Sequence, residues 1–349
     1  MQVPEPETFL VTGGTGFIGR RLVAALVNQY GAGAVTCLAL TPATSDEERI
    51  GIANLRAMGV RVIIGDLLDP HVATEPAPRT DVVFHLAANI DTALPDHELT
   101  VNDRGTAHLL DWIRPVSAGA RIVYTSSVAV LDRQQRPSGP LTETSPCTPR
   151  TAYGRSKLRG EEIVQARAAA DGYTYTIPRL TTIYGPGAKA GGLFDELFHL
   201  TSRGDLLGRI DWPGRCSVMH VVDTANLLVA MGASSSAANQ VYCVGNAYAP
   251  TVGELAERIG RVAGIRRTTY RPPQWVWRAV RTVTWNPVVA RVGMAVAPLL
   301  FWRFSLIVDD GFWVDASKMQ SVFPDVPMDL DSGLSEMLMR FTDLISRLS

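Results

Sequence analysis

The stretch FLVTGGTGFIGRRLVAAL, Phe9 to Leu26, decides the fold. It sets Gly13, Gly14, Gly16 and Gly19 between an apolar run and a helix-like segment, where glycine weakens both elements. Gly13, Gly16 and Gly19 have the spacing G-x-x-G-x-x-G. In a strand-turn-helix context the first glycine permits the tight turn, the second lets a diphosphate approach the backbone, and the third lets helix and sheet pack closely. An anion held at the helix N-terminus offsets what the glycines cost. The stretch reads as a dinucleotide-binding turn.

Outward from it, apolar runs alternate with helix-like stretches: TFLVTG, AVTCLAL, VRVIIG, DVVFHLAA and ARIVYTSS each end near Gly, Ser, Asp or Pro. Between them GRRLVAALVNQYG closes on a glycine and LTVNDRGTAHLLDWIR has apolar residues at helical spacing. The expected fold class is α/β, a Rossmann-type doubly wound parallel sheet with a smaller C-terminal substrate-binding lobe. Residues 8–182 are expected to form the nucleotide-binding domain, with segments near 215–245 returning to it. Residues 183–349, which open on the Gly/Pro-rich IYGPGAKAGG, are expected to form mainly the substrate lobe.

The 349 residues are 46% hydrophobic, enough for a sizeable core, and 33 Lys+Arg against 34 Asp+Glu give a net charge of -1. That balance offers no bulk attraction to nucleic acid. Cys37, Cys147, Cys216 and Cys243 are scattered, and the N-terminus lacks a secretory pattern, so reduced thiols and a cytoplasmic location are expected. The six histidines form no metal-binding pattern, and no metal site is expected.

TGGTGFIG resembles the cofactor turn of the extended short-chain dehydrogenase/reductase family, whose members include NAD-dependent epimerases and dehydratases and 3β-hydroxysteroid dehydrogenases. GDLLD (65–69), HLAA (85–88), YTSS (124–127), YGRSK (153–157), PRLTTIYGPG (178–187) and MHVVDTANLL follow in family order. The resemblance implies that Gly13, Gly16, Phe17, Ile18, Gly19 and Arg20 hold the cofactor. It further implies that Asp66 and Leu67 border the adenine, and that Leu86, Ala87 and Ala88 line the diphosphate and ribose side. A homodimer is implied in the same way.

A ribose 2′-hydroxyl is usually held by an acid at the end of the second strand, whereas a 2′-phosphate needs that acid absent and a cation near. AVTCLALTP ends in Ala39, Leu40 and Thr41, and Arg20 and Arg21 could supply charge, although both read equally well as solvated helix residues. NADP is therefore expected, with NAD the alternative. Tyr153 and Lys157, four apart, project from one helix face. The ammonium is expected to lower the phenol pKa from its ordinary value near 10 and to hold the nicotinamide ribose. Ser127 best matches the family's catalytic hydroxyl, with Ser126 the near alternative.

Departures from the family bear on substrate. In sugar dehydratases an acidic pair follows the catalytic hydroxyl; here Val128 and Ala129 follow. The arginine that clamps a nucleotide-sugar diphosphate is matched by Cys216, with Arg215 one residue off. Trp275, Trp277, Trp285, Phe301, Trp302 and Phe304, mixed with Arg278, Arg281, Arg291 and Arg303, resemble the same region of 3β-hydroxysteroid dehydrogenases. They read first as core of the second lobe, and otherwise as an apolar pocket or a weak membrane-surface contact through 275–304. The expected activity interconverts a secondary alcohol and a ketone on a bulky lipophilic small molecule, 3β-hydroxysteroid or β-keto in type. The alternatives are a nucleotide-sugar epimerase and a non-catalytic nucleotide-binding protein.

Overall fold

Each of the five apolar runs before residue 128 folds as a strand: β1 (Phe9–Thr12), β2 (Val35–Ala39), β3 (Arg61–Ile64), β4 (Val82–His85) and β5 (Arg121–Tyr124). The computed structural model describes residues 8–132, 139–188, 191–266, 268–324 and 329–346. Between the strands lie α1 (Gly19–Tyr30), α2 (Asp46–Ala57) and α3 (Arg104–Ile113). The chain continues through β6 (Ser126–Ser127), α4 (Ala152–Asp171), β7 (Thr174–Leu180), β8 (Thr182–Tyr184), α5 (Leu193–Arg203) and α6 (Leu206–Arg209). Then come β9 (Val218–His220), α7 (Val221–Ala233), β10 (Gln240–Val244) and α8 (Val252–Val262). The last helices are α9 (Gln274–Thr284), α10 (Pro287–Val296), α11 (Pro298–Val308), α12 (Ser317–Val322) and α13 (Leu330–Ser346).

The strands form one parallel sheet in the order β3-β2-β1-β4-β5-β7-β10, with β6 paired to β7. Phe9 lies opposite both Val35 and Val82, so β1 sits between β2 and β4 where the winding direction reverses. The carboxyl ends of β1 and β4 open a crevice at this point, where doubly wound sheets take their ligands. Both faces are covered. On one, Leu22 and Leu26 of α1 and Leu228 of α7 pack on Phe9, Val11 and Phe84; on the other, Leu109 and Ile113 of α3 and Val164 of α4 pack on Leu10, Val83 and Ile122. Adjacent residues of β1 serve opposite faces, as a two-residue repeat requires.

Past residue 180, α7 and β10 return to the sheet, and α5, α8 and α13 build the crevice's far wall. Phe194 and Leu197 of α5, Leu255 and Ile259 of α8 and Leu334 and Met337 of α13 share a core with Tyr184. The aromatic-rich segment divides between the two expected roles. Trp302 is buried, Trp212 packs against Trp277 and Phe304, and Trp275 faces solvent with 70% of its surface exposed. Trp302 Nε1 donates to Asp132 Oδ2 at 2.6 Å, and Arg150, which lies over the Trp285 ring, donates to Met294 Sδ at 3.4 Å. These contacts fasten α9–α11 to the loops flanking β6 and α4.

Candidate active site

The turn after β1 needs its glycines for separate reasons. Gly13 has φ +71°, a conformation L side chains rarely adopt, and a Cβ there would lie 2.7 Å from the Ala87 nitrogen. A Cβ on Gly19 would collide with the Gly13 carbonyl oxygen, so helix and turn could not close. At Gly16 the nearest atom to a Cβ is the Gly13 oxygen at 3.2 Å, and the remaining space is open on the crevice side. The N-terminus of α1 has no acidic residue in its first turn and no side-chain cap, so its positive end faces the crevice uncompensated. An open cradle and an uncapped helix end fit a dinucleotide diphosphate.

This turn is one wall of a cavity of about 780 Å³ that also admits Leu86, Ala88, Ser127, Tyr153 and Lys157. Phe17 and Ile18 line it too. Four other residues named from sequence stand off it. The Ala87 N–H donates to Thr12 Oγ1 at 3.2 Å, and Arg20 crosses to the Pro186 and Gly187 carbonyls at 3.4 and 3.2 Å. Asp66, at the end of β3, accepts from the Leu68 N–H at 2.9 Å, while the Leu67 side chain is buried in the core.

The two serines of β6 part company. Ser126 Oγ donates to Glu161 Oε1, and Glu161 is held in a buried bidentate pair by Arg179 at 2.8 and 3.0 Å. Ser127 Oγ accepts from the Ala129 N–H at 3.2 Å and hydrogen-bonds the Tyr153 phenol. Ser127 is thus the hydroxyl that meets Tyr153 at the cavity, whereas Ser126 is committed to Glu161. Thr151 caps α4, accepting from the Gly154 N–H at 3.0 Å, and a Cβ on Gly160 would collide with the Tyr124 hydroxyl. Small residues on α4 therefore let it lie close to β5 and carry Tyr153 and Lys157 to the cavity.

Electrostatics correct one expectation. Burial raises the Tyr153 phenol pKa above 10, with only the Ser127 hydrogen bond opposing it. Burial likewise pulls Lys157 down to about 7, against the pull of Glu161. Lys157 Nζ lies 4.3 Å from the centroid of the Tyr124 ring and has no hydrogen-bond acceptor among the described residues. The cation rests on an aromatic face, desolvation sets the direction of the Tyr153 shift, and the phenol is protonated at neutral pH.

Two residues escaped the sequence reading. Asn102, fully buried, accepts from the Asn89 N–H at 2.8 Å and donates from Nδ2 to the Asn89 carbonyl at 2.8 Å and to Ser156 Oγ at 2.9 Å, tying the loop after β4 to α4. Glu48 supplies the acid that β2 itself lacks: its carboxylate accepts from the Leu40 N–H at 3.1 Å and from Thr15 Oγ1 at 2.8 Å. A Cβ on Gly51 would lie 2.7 Å from Thr15 Cβ, so a glycine one turn on allows this approach. Ser45-x-x-Glu48 has the pattern of a helix start, and Ser45 Oγ does accept from the Glu48 N–H at 3.1 Å. Only the fold aims the Glu48 carboxylate at the strand end.

Residues 9–245 match the sequence model of the NAD dependent epimerase/dehydratase family. The chain belongs to that family. A dTDP-glucose 4,6-dehydratase of Mycobacterium tuberculosis is 32% identical over 183 residues, covering 51% of this chain and 54% of that one. A 3beta-hydroxysteroid-dehydrogenase/decarboxylase of Arabidopsis thaliana is 27% identical over 316 residues, 85% of this chain and 55% of that one. The chain thus spans about half the length of these curated relatives. Among solved structures, the terminal R domain of the myxalamid PKS-NRPS biosynthetic pathway superposes with TM-score 0.74 at 18% identity, over 99% of this chain and 92% of that one. The family's epimerase-type sheet and C-terminal helices are those described above.

Proposed function

We propose that this epimerase/dehydratase family member is an NAD-dependent oxidoreductase that interconverts a ketone and a secondary alcohol on a bulky, largely apolar molecule. The observation that carries the substrate class is the apolar share of the cavity lining, Ile90, Leu180, Ile183, Leu193, Phe194 and Met337, which outweighs the polar Thr181, Thr182 and Asp195 beside it. Lys157 is the one cation among the described residues lining it. A nucleotide-sugar diphosphate calls for a guanidinium clamp. Cys216 is buried, and the Arg215 guanidinium lies 4.6 Å from the Trp313 ring centroid, away from the cavity. Val128 and Ala129, where a dehydratase would carry acids, are both buried, Val128 in an apolar cluster with Leu141 and Val314.

The glycine turn and the N-terminus of α1 would hold the cofactor diphosphate, and Lys157 the nicotinamide ribose. The nicotinamide, when bound, supplies or accepts hydride. With a carbonyl in the cavity, Ser127 and Tyr153 would exchange their mutual hydrogen bond for two O–H donations to the substrate oxygen, which orients the carbonyl and polarises it. Tyr153, neutral at pH 7, gives its proton to that oxygen as the alcohol forms and takes it back in reverse. Glu48 at the end of β2 supports NAD: a carboxylate there accepts hydrogen bonds from a ribose diol and repels a 2′-phosphate. This replaces the NADP expected when only the strand's own residues were considered.

Reduction of a panel of sterol ketones and β-keto esters, with UDP-hexoses alongside, tests the reading. Wild type is expected to consume NADH with an apolar ketone. Tyr153→Phe is expected to lose turnover by roughly 10²–10⁴-fold while NADH affinity stays within about twofold. Retained turnover in Tyr153→Phe, or UDP-hexose turnover without reduction of any apolar ketone, overturns it.

A further inference from the structure

Helix α10 is inside out. None of its ten residues is buried, and the side it turns to solvent carries Val288, Val289, Val292 and Val296. Its inner side carries Ala290, Gly293 and Met294: a Cβ on Gly293 would lie 2.7 Å from Phe301 Cγ, so α10 packs on α11 by its glycine and leaves the valines outside. Val288 and Val296 are 70% and 79% exposed, and Leu300 at the start of α11 and Trp275 on α9 extend the apolar surface. A soluble surface helix normally shows the opposite polarity.

Along the sequence the segment that carries this face has charge of one sign. Residues 258–308 contain nine arginines and no Asp, Glu or Lys, in a chain whose net charge is -1. Arg258 and Arg261 are engaged by Asp331, Arg271 by Asp211, Arg281 by Asp309 and Arg303 by Glu196, while Arg278 and Arg291, both exposed, have no acidic partner among the described residues. Among the described residues no helix is long and apolar enough to cross a membrane. An apolar helix face bordered by arginine and tryptophan suits an interface where acyl chains lie below anionic headgroups.

We propose that the α9–α11 surface docks flat on an anionic lipid bilayer, with the α10 valines and Trp275 entering the headgroup region and Arg278 and Arg291 pairing with lipid phosphates. The helix contributes a seat about 15 Å long, ten residues at 1.5 Å each, and lies in the plane of the surface. The surface stands whatever the cavity binds.

Flotation of the full chain with vesicles of phosphatidylcholine alone, and with about 30% phosphatidylglycerol added, tests this. Binding is expected to the mixed vesicles and to weaken steeply between low and high salt. Val288→Glu/Val292→Glu is expected to abolish flotation with an unchanged melting temperature. Because a double substitution can disturb α10 itself, Arg278→Gln and Arg291→Gln supply a second arm, each expected to weaken partitioning about fivefold. Flotation with neither vesicle, equal flotation with both, insensitivity to the arginine substitutions, or a concentration-dependent dimer that Val288→Glu/Val292→Glu dissociates would each overturn the proposal, the last by showing that a second copy covers the face.

Discussion

Lys157 is 2% exposed, and its ammonium is held down to about 7 by desolvation. A base whose folded pKa lies below its unfolded value of 10.5 binds fewer protons when folded, so it destabilises the fold at neutral pH, and that cost fades as pH rises from about 7 towards 10.5. Lys157→Met, which keeps the aliphatic stem over Tyr124, is expected to raise stability at pH 7 by about 2 kcal/mol while turnover collapses. Urea denaturation at pH 7 and pH 9.5 checks the sign, because the variant's advantage should shrink at the higher pH. Tyr153 and Lys157 were legible in the sequence because four-residue spacing fixes a shared helix face. What distinguishes Ser126 from Ser127 is the contact with Glu161 and Arg179, which arrive from α4 and β7. The sign of the Tyr153 shift was missed because desolvation depends on burial that spacing does not encode.

The strands and helices around the crevice were readable as elements, since each strand is a short apolar run closed by a turn residue and buried on both faces. The glycine turn was readable as a turn, and the left-handed backbone at Gly13 agrees with the tight bend expected of it, while a Cβ on Gly19 would meet the turn's own backbone and not the sheet. What α2 does was not readable: nothing local announces that its first turn reaches back to Leu40 and Thr15. If Glu48 receives the adenosine ribose, wild type should bind NADH at least about 100-fold more tightly than NADPH, and Glu48→Gln should narrow that ratio about tenfold. Calorimetric titration of both cofactors measures this without turnover. A ratio unchanged by the substitution would remove Glu48 from cofactor selection and leave the redox proposal standing.

At the scale of the whole molecule, Asp132 joins the sheet to the C-terminal helices through Trp302 and lies 4.0 Å from Arg150. Burial raises its pKa from 3.8 to about 6, with Arg150 and Trp302 opposing the shift. The folded chain therefore binds more protons than the unfolded chain between these values, so this group's stabilisation is full below about 4 and is lost as pH rises through about 6. Relative to Asp132→Asn, wild type is expected to gain about 1–3 kcal/mol between pH 7 and pH 4.5, measured by chemical denaturation at each pH. The long-range joins of this kind lay beyond the sequence reading, because partners 170 residues apart leave no periodic trace. The order of the sheet has a temporal consequence. Strand β7 ends at Leu180 but its outer neighbour β10 is complete only at Val244, so a ribosome adding about 5–20 residues per second leaves that edge bare for roughly 3–13 s. Newborn chains must be shielded over this interval, and slow codons placed between these two strands should lower soluble yield more than the same codons placed after residue 244.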